Sequence, residues 1–161
     1  MTKKTMRFIG NIEAKTDSKG RVFVPAVFRR TLQSAGIDRL MMRKDIFQDC
    51  LVLYPETTWN KRLDEMRERL DVWNRNDQNI FRKFVAYVEE VTLDSNGRIL
   101  IPKRYMAAAG IQQEVCFVGM DDTIEIWAKE KFEESLMDAE TFSIEIEKTM
   151  SRQKKENNSN D

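Results

Sequence analysis

A nine-residue block occurs twice in this chain, and the duplication limits the fold more than any other feature. Asp17-Ser18-Lys19-Gly20-Arg21-Val22-Phe23-Val24-Pro25 returns as Asp94-Ser95-Asn96-Gly97-Arg98-Ile99-Leu100-Ile101-Pro102, at an offset of 77. Ala35-Gly36-Ile37 then matches Ala109-Gly110-Ile111 at 74. Leu51-Val52-Leu53-Tyr54 matches Ile124-Glu125-Ile126-Trp127 at 73, with Trp59 against Phe132. Three matched blocks in one order, with a shrinking offset, describe one module used twice, the second copy having shorter loops.

Each copy reads alike. An extended run, Phe8 to Lys15 or Tyr87 to Leu93, meets an Asp-Ser-x-Gly turn. There the carboxylate can accept from backbone N–H groups and Gly supplies positive φ. Apolar or β-branched residues follow (Val22–Val24, Ile99–Ile101) and read as a strand. Pro25 and Pro102 suit the first position of short helices that end at Gly36 and Gly110 as C′ residues. Two short strands close each module, near 40–43 and 50–54, then 115–118 and 123–127.

Between the modules, Pro55-Glu56-Thr57-Thr58 opens a helix with Trp59, Leu63, Met66, Leu70 and Trp73 at helical spacing. A second helix, about 77–86, presents Ile80, Phe81, Phe84 and Val85. A third, from Lys129 to about Met150, carries Phe132, Leu136, Met137 and Phe142 on one side. All three stripes predict core packing. The boundaries expected are a first module at 6–55, a helical connection at 56–86, a second module at 87–128, a C-terminal helix at 129–150 and a disordered polar tail at 151–161.

Composition narrows the chemistry. The 161 residues contain no histidine, which removes Ser-His-Asp and Cys-His catalysis, His-containing zinc sites and the usual general base. Nor is there a Gly-rich phosphate loop, so the expectation is a protein that is not an enzyme and needs no cofactor or metal. Cys50 and Cys116 stand alone in apolar runs and read as reduced core thiols of a cytoplasmic protein. No stretch is long and apolar enough for a membrane span, and no apolar segment follows the basic N-terminus, so neither a membrane location nor export is expected.

Net charge is zero, but it is unevenly spread. Residues 1–30 hold eight Lys/Arg against Glu13 and Asp17, whereas residues 121–161 hold six Lys/Arg against twelve Asp/Glu. A neutral total therefore conceals a basic end suited to phosphate.

The repeated constellation Asp17/Arg21 and Asp94/Arg98 admits two readings. In one, Asp17, Gly20, Asp94 and Gly97 build the turns and each arginine merely pairs with its aspartate. In the other, the guanidinium fork binds phosphate or the O6/N7 edge of guanine, on a two-stranded ribbon that fits the major groove. Lys15, Lys19, Arg21, Arg29 and Arg30 crowd the first copy, and for these lysines solvation and function stand level. Asn96 and Met106 replace Lys19 and Arg29 in the second copy, so the first hairpin is the expected reading head, with Arg98 secondary.

Phe8-x-Gly10, Asp17-x-Lys19-Gly20-Arg21-x-x-x-Pro25-x-x-Phe28-Arg29, Cys50-Leu51-x-x-Tyr54-x-x-x-x-Trp59 and Leu93-Asp94-x-x-Gly97-Arg98-Ile99-x-Ile101-Pro102 resemble the MraZ family, the double-module members of the AbrB-like swapped-hairpin regulators. The likeness spans about Met6 to Phe142. It implies a mainly β fold with helices, its two tandem modules interlocked as a pseudo-dimer and assembled as a ring homo-oligomer. It further implies a nucleoid-associated repressor that binds direct repeats in double-stranded DNA upstream of its own division and cell-wall operon. The rival expectation is a ring-forming protein-interaction or antitoxin-like module without specific DNA readout.

Overall fold

The strands of the two modules do not pair within their own module at either end of the sheet. The computed structural model describes residues 6–152. Its elements run β1 (Asn11–Lys15), β2 (Arg21–Phe23), α1 (Ala26–Ser34), β3 (Arg39–Lys44), β4 (Leu51–Pro55), α2 (Glu56–Arg69) and α3 (Arg75–Val85). The second half repeats the order with β5 (Glu89–Thr92), β6 (Arg98–Leu100), α4 (Lys103–Ala108), β7 (Glu114–Gly119), β8 (Ile124–Ala128), α5 (Lys129–Ser135) and α6 (Ala139–Met150).

A six-stranded antiparallel sheet has the order β1-β7-β8-β4-β3-β5, and β2 pairs with β6 as a separate ribbon. Exchanging the modules maps this order onto itself. β1 lies on β7 of the other module (Ile12 opposite Phe117), and β5 lies on β3 (Val91 opposite Leu40). The first strand of each copy has thus crossed to the other copy's sheet, so the interlocked pseudo-dimer is observed. A simple hairpin of β1 with β2, the reading nearest to hand from the turn motif, does not form.

The burial follows from this exchange. Val22, Val24, Phe28, Leu32, Leu40 and Met42 from the first module share one core with Ile99, Ile101, Tyr105, Val115, Phe117 and Ile126 from the second. Phe8 meets Phe28 edge to face, with centroids 5.7 Å apart. The central strand β4 is buried at every position because the shared core covers one face and α2 with α3 cover the other. There Tyr54, Trp59 and Phe84 form a second cluster, with Trp59 and Phe84 stacked at 5.2 Å. Arg43 lies over the Phe84 ring at 4.8 Å. Arg39 fastens the modules, donating to both oxygens of Glu90 on β5 at 2.8 Å and to Glu56 on α2 at 3.0 Å. Cys50 and Cys116 are buried free thiols, and burial pushes both thiol pKa values up.

Several local expectations are corrected. Pro25 and Pro102 sit one residue earlier than expected, as N-caps of α1 and α4 in extended conformation. Helix α2 stops at Arg69, and Trp73, assigned to its stripe, is 90% exposed. The cause is local competition for backbone donors. Asp71 accepts from the Trp73 N–H, Asp77 from the Asp71 N–H and Asn74 from the Asp77 N–H, which ends one helix and caps the next. The single helix expected from Lys129 to Met150 is two, because Asp138 accepts from the Thr141 N–H and starts α6 anew. Leu136, Met137 and Phe142, expected in the core, are exposed; only Phe132 packs, against Trp127. Of the polar tail, Ser151 and Arg152 form a turn after α6, and the rest lies outside the described residues. Among the described residues no helix is long and apolar enough to cross a membrane.

Candidate nucleic-acid interface

The two repeated turns meet at the β2–β6 ribbon. Each turn is built by one carboxylate. Asp17 accepts from the Lys19 N–H and the Arg21 N–H, both at 2.9 Å, and from Arg21 Nε at 2.7 Å. Asp94 does the same with Asn96, Arg98 and Arg98 Nε, all at 2.9 Å. These donors, the backbone N–H of Arg21 and of Arg98 foremost, hold both carboxyls below the ordinary carboxylate value because they stabilise the charged form. Gly20 and Gly97 close the turns at φ of +86° and +83°, a region that L side chains rarely adopt.

The ribbon pairs Arg21 with Leu100, Val22 with Ile99 and Phe23 with Arg98. Strand alternation sends Val22 and Ile99 into the core, at 1% exposure each, and leaves Phe23 and Leu100 about half exposed. Cross-strand partners point to the same side, so Arg21, Leu100, Phe23 and Arg98 form one outward face. The arginines are diagonal neighbours across the ribbon, and each carries its own neutralising aspartate. Arg98 lies over the Phe23 ring at 5.8 Å.

In both arginines the aspartate takes Nε, and among the described residues no protein acceptor is bonded to their terminal nitrogens. The outer edge of each fork is therefore aimed but unspent, which suits a planar bidentate acceptor such as phosphate or a guanine edge. The Arg21 side chain is 38% exposed and that of Arg98 is 24% exposed, so the first is the more available.

The remaining expected contacts divide. Lys19 is exposed at the tip of the first turn. Lys15 is exposed on β1, with Glu114 as its cross-strand neighbour. Arg29 does not join the first turn. Its side chain packs beneath the second, occupying the space a Gly97 Cβ would need, and its Nε is buried without a partner. Met106 occupies the equivalent place beneath Gly20. The helix of each module thus supports the other module's turn. Bonds from the Val24 N–H to the Gly97 carbonyl (3.0 Å) and from the Ile101 N–H to the Gly20 carbonyl (2.9 Å) complete the exchange.

Two members of the face, Phe23 and Leu100, were missed from sequence. The signal was present: they stand two residues from Arg21 and Arg98 on strands of period two. Among the described residues, no group of His, Cys, Asp or Glu is placed to hold a metal ion.

Comparison with known proteins agrees with this architecture. A family model described as "MraZ protein, putative antitoxin-like" matches twice, over residues 8–82 and 84–154. A protein of Bacteroides fragilis named transcriptional regulator MraZ is 58% identical over 153 residues, covering 95% of this chain and 97% of its own length. Its namesake in Bacteroides thetaiotaomicron is 57% identical, covering 90% and 93%. One from Clostridium acetobutylicum is 35% identical, covering 79% and 85%. With the family model spanning nearly the whole folded chain and relatives this similar over 85% or more of their own length, the chain belongs to the MraZ family.

Proposed function

We propose that this chain is a sequence-specific DNA-binding transcriptional regulator, a repressor of its own division and cell-wall operon that binds upstream direct repeats. The observation that carries the reading is the ribbon face, where Asp17 and Asp94 hold the Arg21 and Arg98 forks outward with their terminal nitrogens unbonded. The name "transcriptional regulator" borne by the similar proteins supports it. Arg21 contacts base edges or phosphate, and Phe23 and Leu100 offer apolar surface of the kind that meets thymine methyl groups. Lys19, Lys15, Arg29 and Arg98 add attraction to phosphate, Arg29 from beneath the second turn.

One ribbon binds weakly. Subunits joined as a ring homo-oligomer convert later contacts into intramolecular ones, raising avidity by roughly 10²–10⁴ where repeat spacing permits. The protein would then reside in the cytoplasm on the nucleoid. The test is fluorescence anisotropy of labelled DNA from immediately upstream of the gene, against a scrambled fragment, across a salt series. Preference for the native fragment, lost in Arg21→Ala with assembly intact, is the expected result. Equal and feeble binding to both fragments would overturn the reading in favour of a protein-interaction or antitoxin-like role.

A further inference from the structure

Helix α6 is the counterpart of α3, yet the two are treated differently by the fold. α3 lays Phe84 onto Trp59 and so buries one aromatic anchor against its own chain. α6 has no buried residue along its twelve positions, although Ala139, Phe142, Ile146 and Met150 recur at spacings of three, four and four and so share one face. Phe142, Ile146 and Met150 are 55%, 45% and 77% exposed. Glu140, Glu145 and Glu147 accompany this face, with Lys148 the only cation on the helix, paired with Glu145.

Elsewhere on the molecule is a surface of opposite character. A groove of about 800 Å³ lies between α3, the end of β3 and α4. Its floor is apolar, from Ile46, Ile80, Phe84 and Tyr105, with Arg43, Lys44, Lys83 and Arg104 around it. Arg104 pairs with Glu89, Lys44 with Asp49 and Arg43 with the Phe84 and Lys44 carbonyls, whereas Lys83 has no ion-pair partner among the described residues. Ile80 is 45% exposed there and Ile46 is 59% exposed. Large apolar surfaces left open in this way mark interaction sites.

We propose that α6 of one copy docks into the α3–β3–α4 groove of a second copy, its apolar face on Ile80 and Ile46 and its glutamates against the groove's cations. The inference rests on the reading of the chain as a homo-oligomer and names the contact that builds it. The charge pattern selects this occupant. Two α6 helices facing each other would set glutamates against glutamates, whereas α6 against the groove sets them against lysine and arginine. Because helix and groove are different surfaces, the contact is heterologous: each copy offers both, and repetition closes a ring when the rotation permits.

The experiment uses the full chain. Ile80→Cys and Ile146→Cys are made singly and together, the native thiols being buried. Mixing the two single variants under mild oxidation should give a cross-linked dimer that neither forms alone, and the double variant should give a ladder of covalent oligomers. Light scattering should show Ile146→Asp and Lys83→Glu, two changes away from the buried core, lowering the assembled mass, with unchanged circular dichroism. A wild-type chain that is monomeric at tens of micromolar would overturn both the oligomer reading and this contact. Assembly retained in both variants, or an intrachain disulfide without a ladder, would overturn the contact and leave the oligomer standing.

Discussion

The two turns of the ribbon share one backbone and differ in what surrounds it. In each, an aspartate accepts two backbone N–H groups and an arginine Nε, and in each a glycine at positive φ closes the loop. Around the first, Lys19 stands at the tip and the apolar Met106 supports Gly20 from below; around the second, Asn96 stands at the tip and Arg29 supports Gly97. The cation that sequence adjacency assigns to the first turn is delivered to the second. The frame is symmetric and the placing of charge is not: each turn has one added cation, exposed at the tip of the first and half-buried beneath the second.

Four experiments bear on that comparison. The largest effect is expected from Arg21→Ala against Arg98→Ala. Loss of one base or phosphate contact costs about 1–3 kcal/mol, repeated at every docked subunit. Arg21→Ala should abolish preference for the native upstream fragment, and Arg98→Ala, removing the less exposed fork, should weaken it less. Equal losses in an anisotropy titration would show that the two ends read DNA alike.

Next is Gly20→Ala against Gly97→Ala. Both introduce strain at positive φ, of order 1–3 kcal/mol. A Cβ at Gly20 meets the Ile101 carbonyl oxygen at 2.8 Å, whereas one at Gly97 meets the flexible Arg29 side chain. Thermal unfolding should therefore place the Gly20 variant below the Gly97 variant in Tm; the reverse order would mean that Arg29 is held more rigidly than its chemistry suggests.

Arg29→Met copies the support of the first turn into the second. It removes a buried Nε that has no acceptor, and an unsatisfied buried donor costs about 1–3 kcal/mol, so the variant should be more stable, by about 1 kcal/mol. It should also lower the salt dependence of DNA binding by less than Lys19→Ala does. A destabilised Arg29→Met would show that the guanidinium's packing outweighs its unpaired donor.

The smallest effect is electrostatic. Both Asp17 and Asp94 have pKa values below the ordinary 3.8. Their contribution to stability is therefore present above that value and lost as pH falls through the lower folded values. Asp17→Asn and Asp94→Asn should each flatten the acid limb of a Tm–pH curve below about pH 5. An unchanged limb in either would show that the turn does not depend on its charge.

Much of this was legible in the chain. The repeat, the turns, the inward Val22, Val24, Ile99 and Ile101, the C′ glycines and the stripe of Trp59 with Phe84 all follow from local preference and periodicity. The misreadings share a cause. Trp73 and the Leu136–Asp138 break were lost because short polar side chains captured backbone N–H groups, which a hydrophobic stripe does not register. Phe142 was placed in a core because periodicity reports that a face is apolar, not what covers it.

Alternation in β2 and β6 by itself determined which residues face inward, since strand geometry repeats every two residues wherever the strand lies. It did not determine the partner. Backbone ladders are nearly blind to side chains, so β1 could equally have paired with β2. Only the tertiary structure sent β1 to β7 and β2 to β6, because that exchange buries the inner faces of both modules in one core. The same exchange brought Arg21 beside Arg98 and carried Arg29 beneath Gly97.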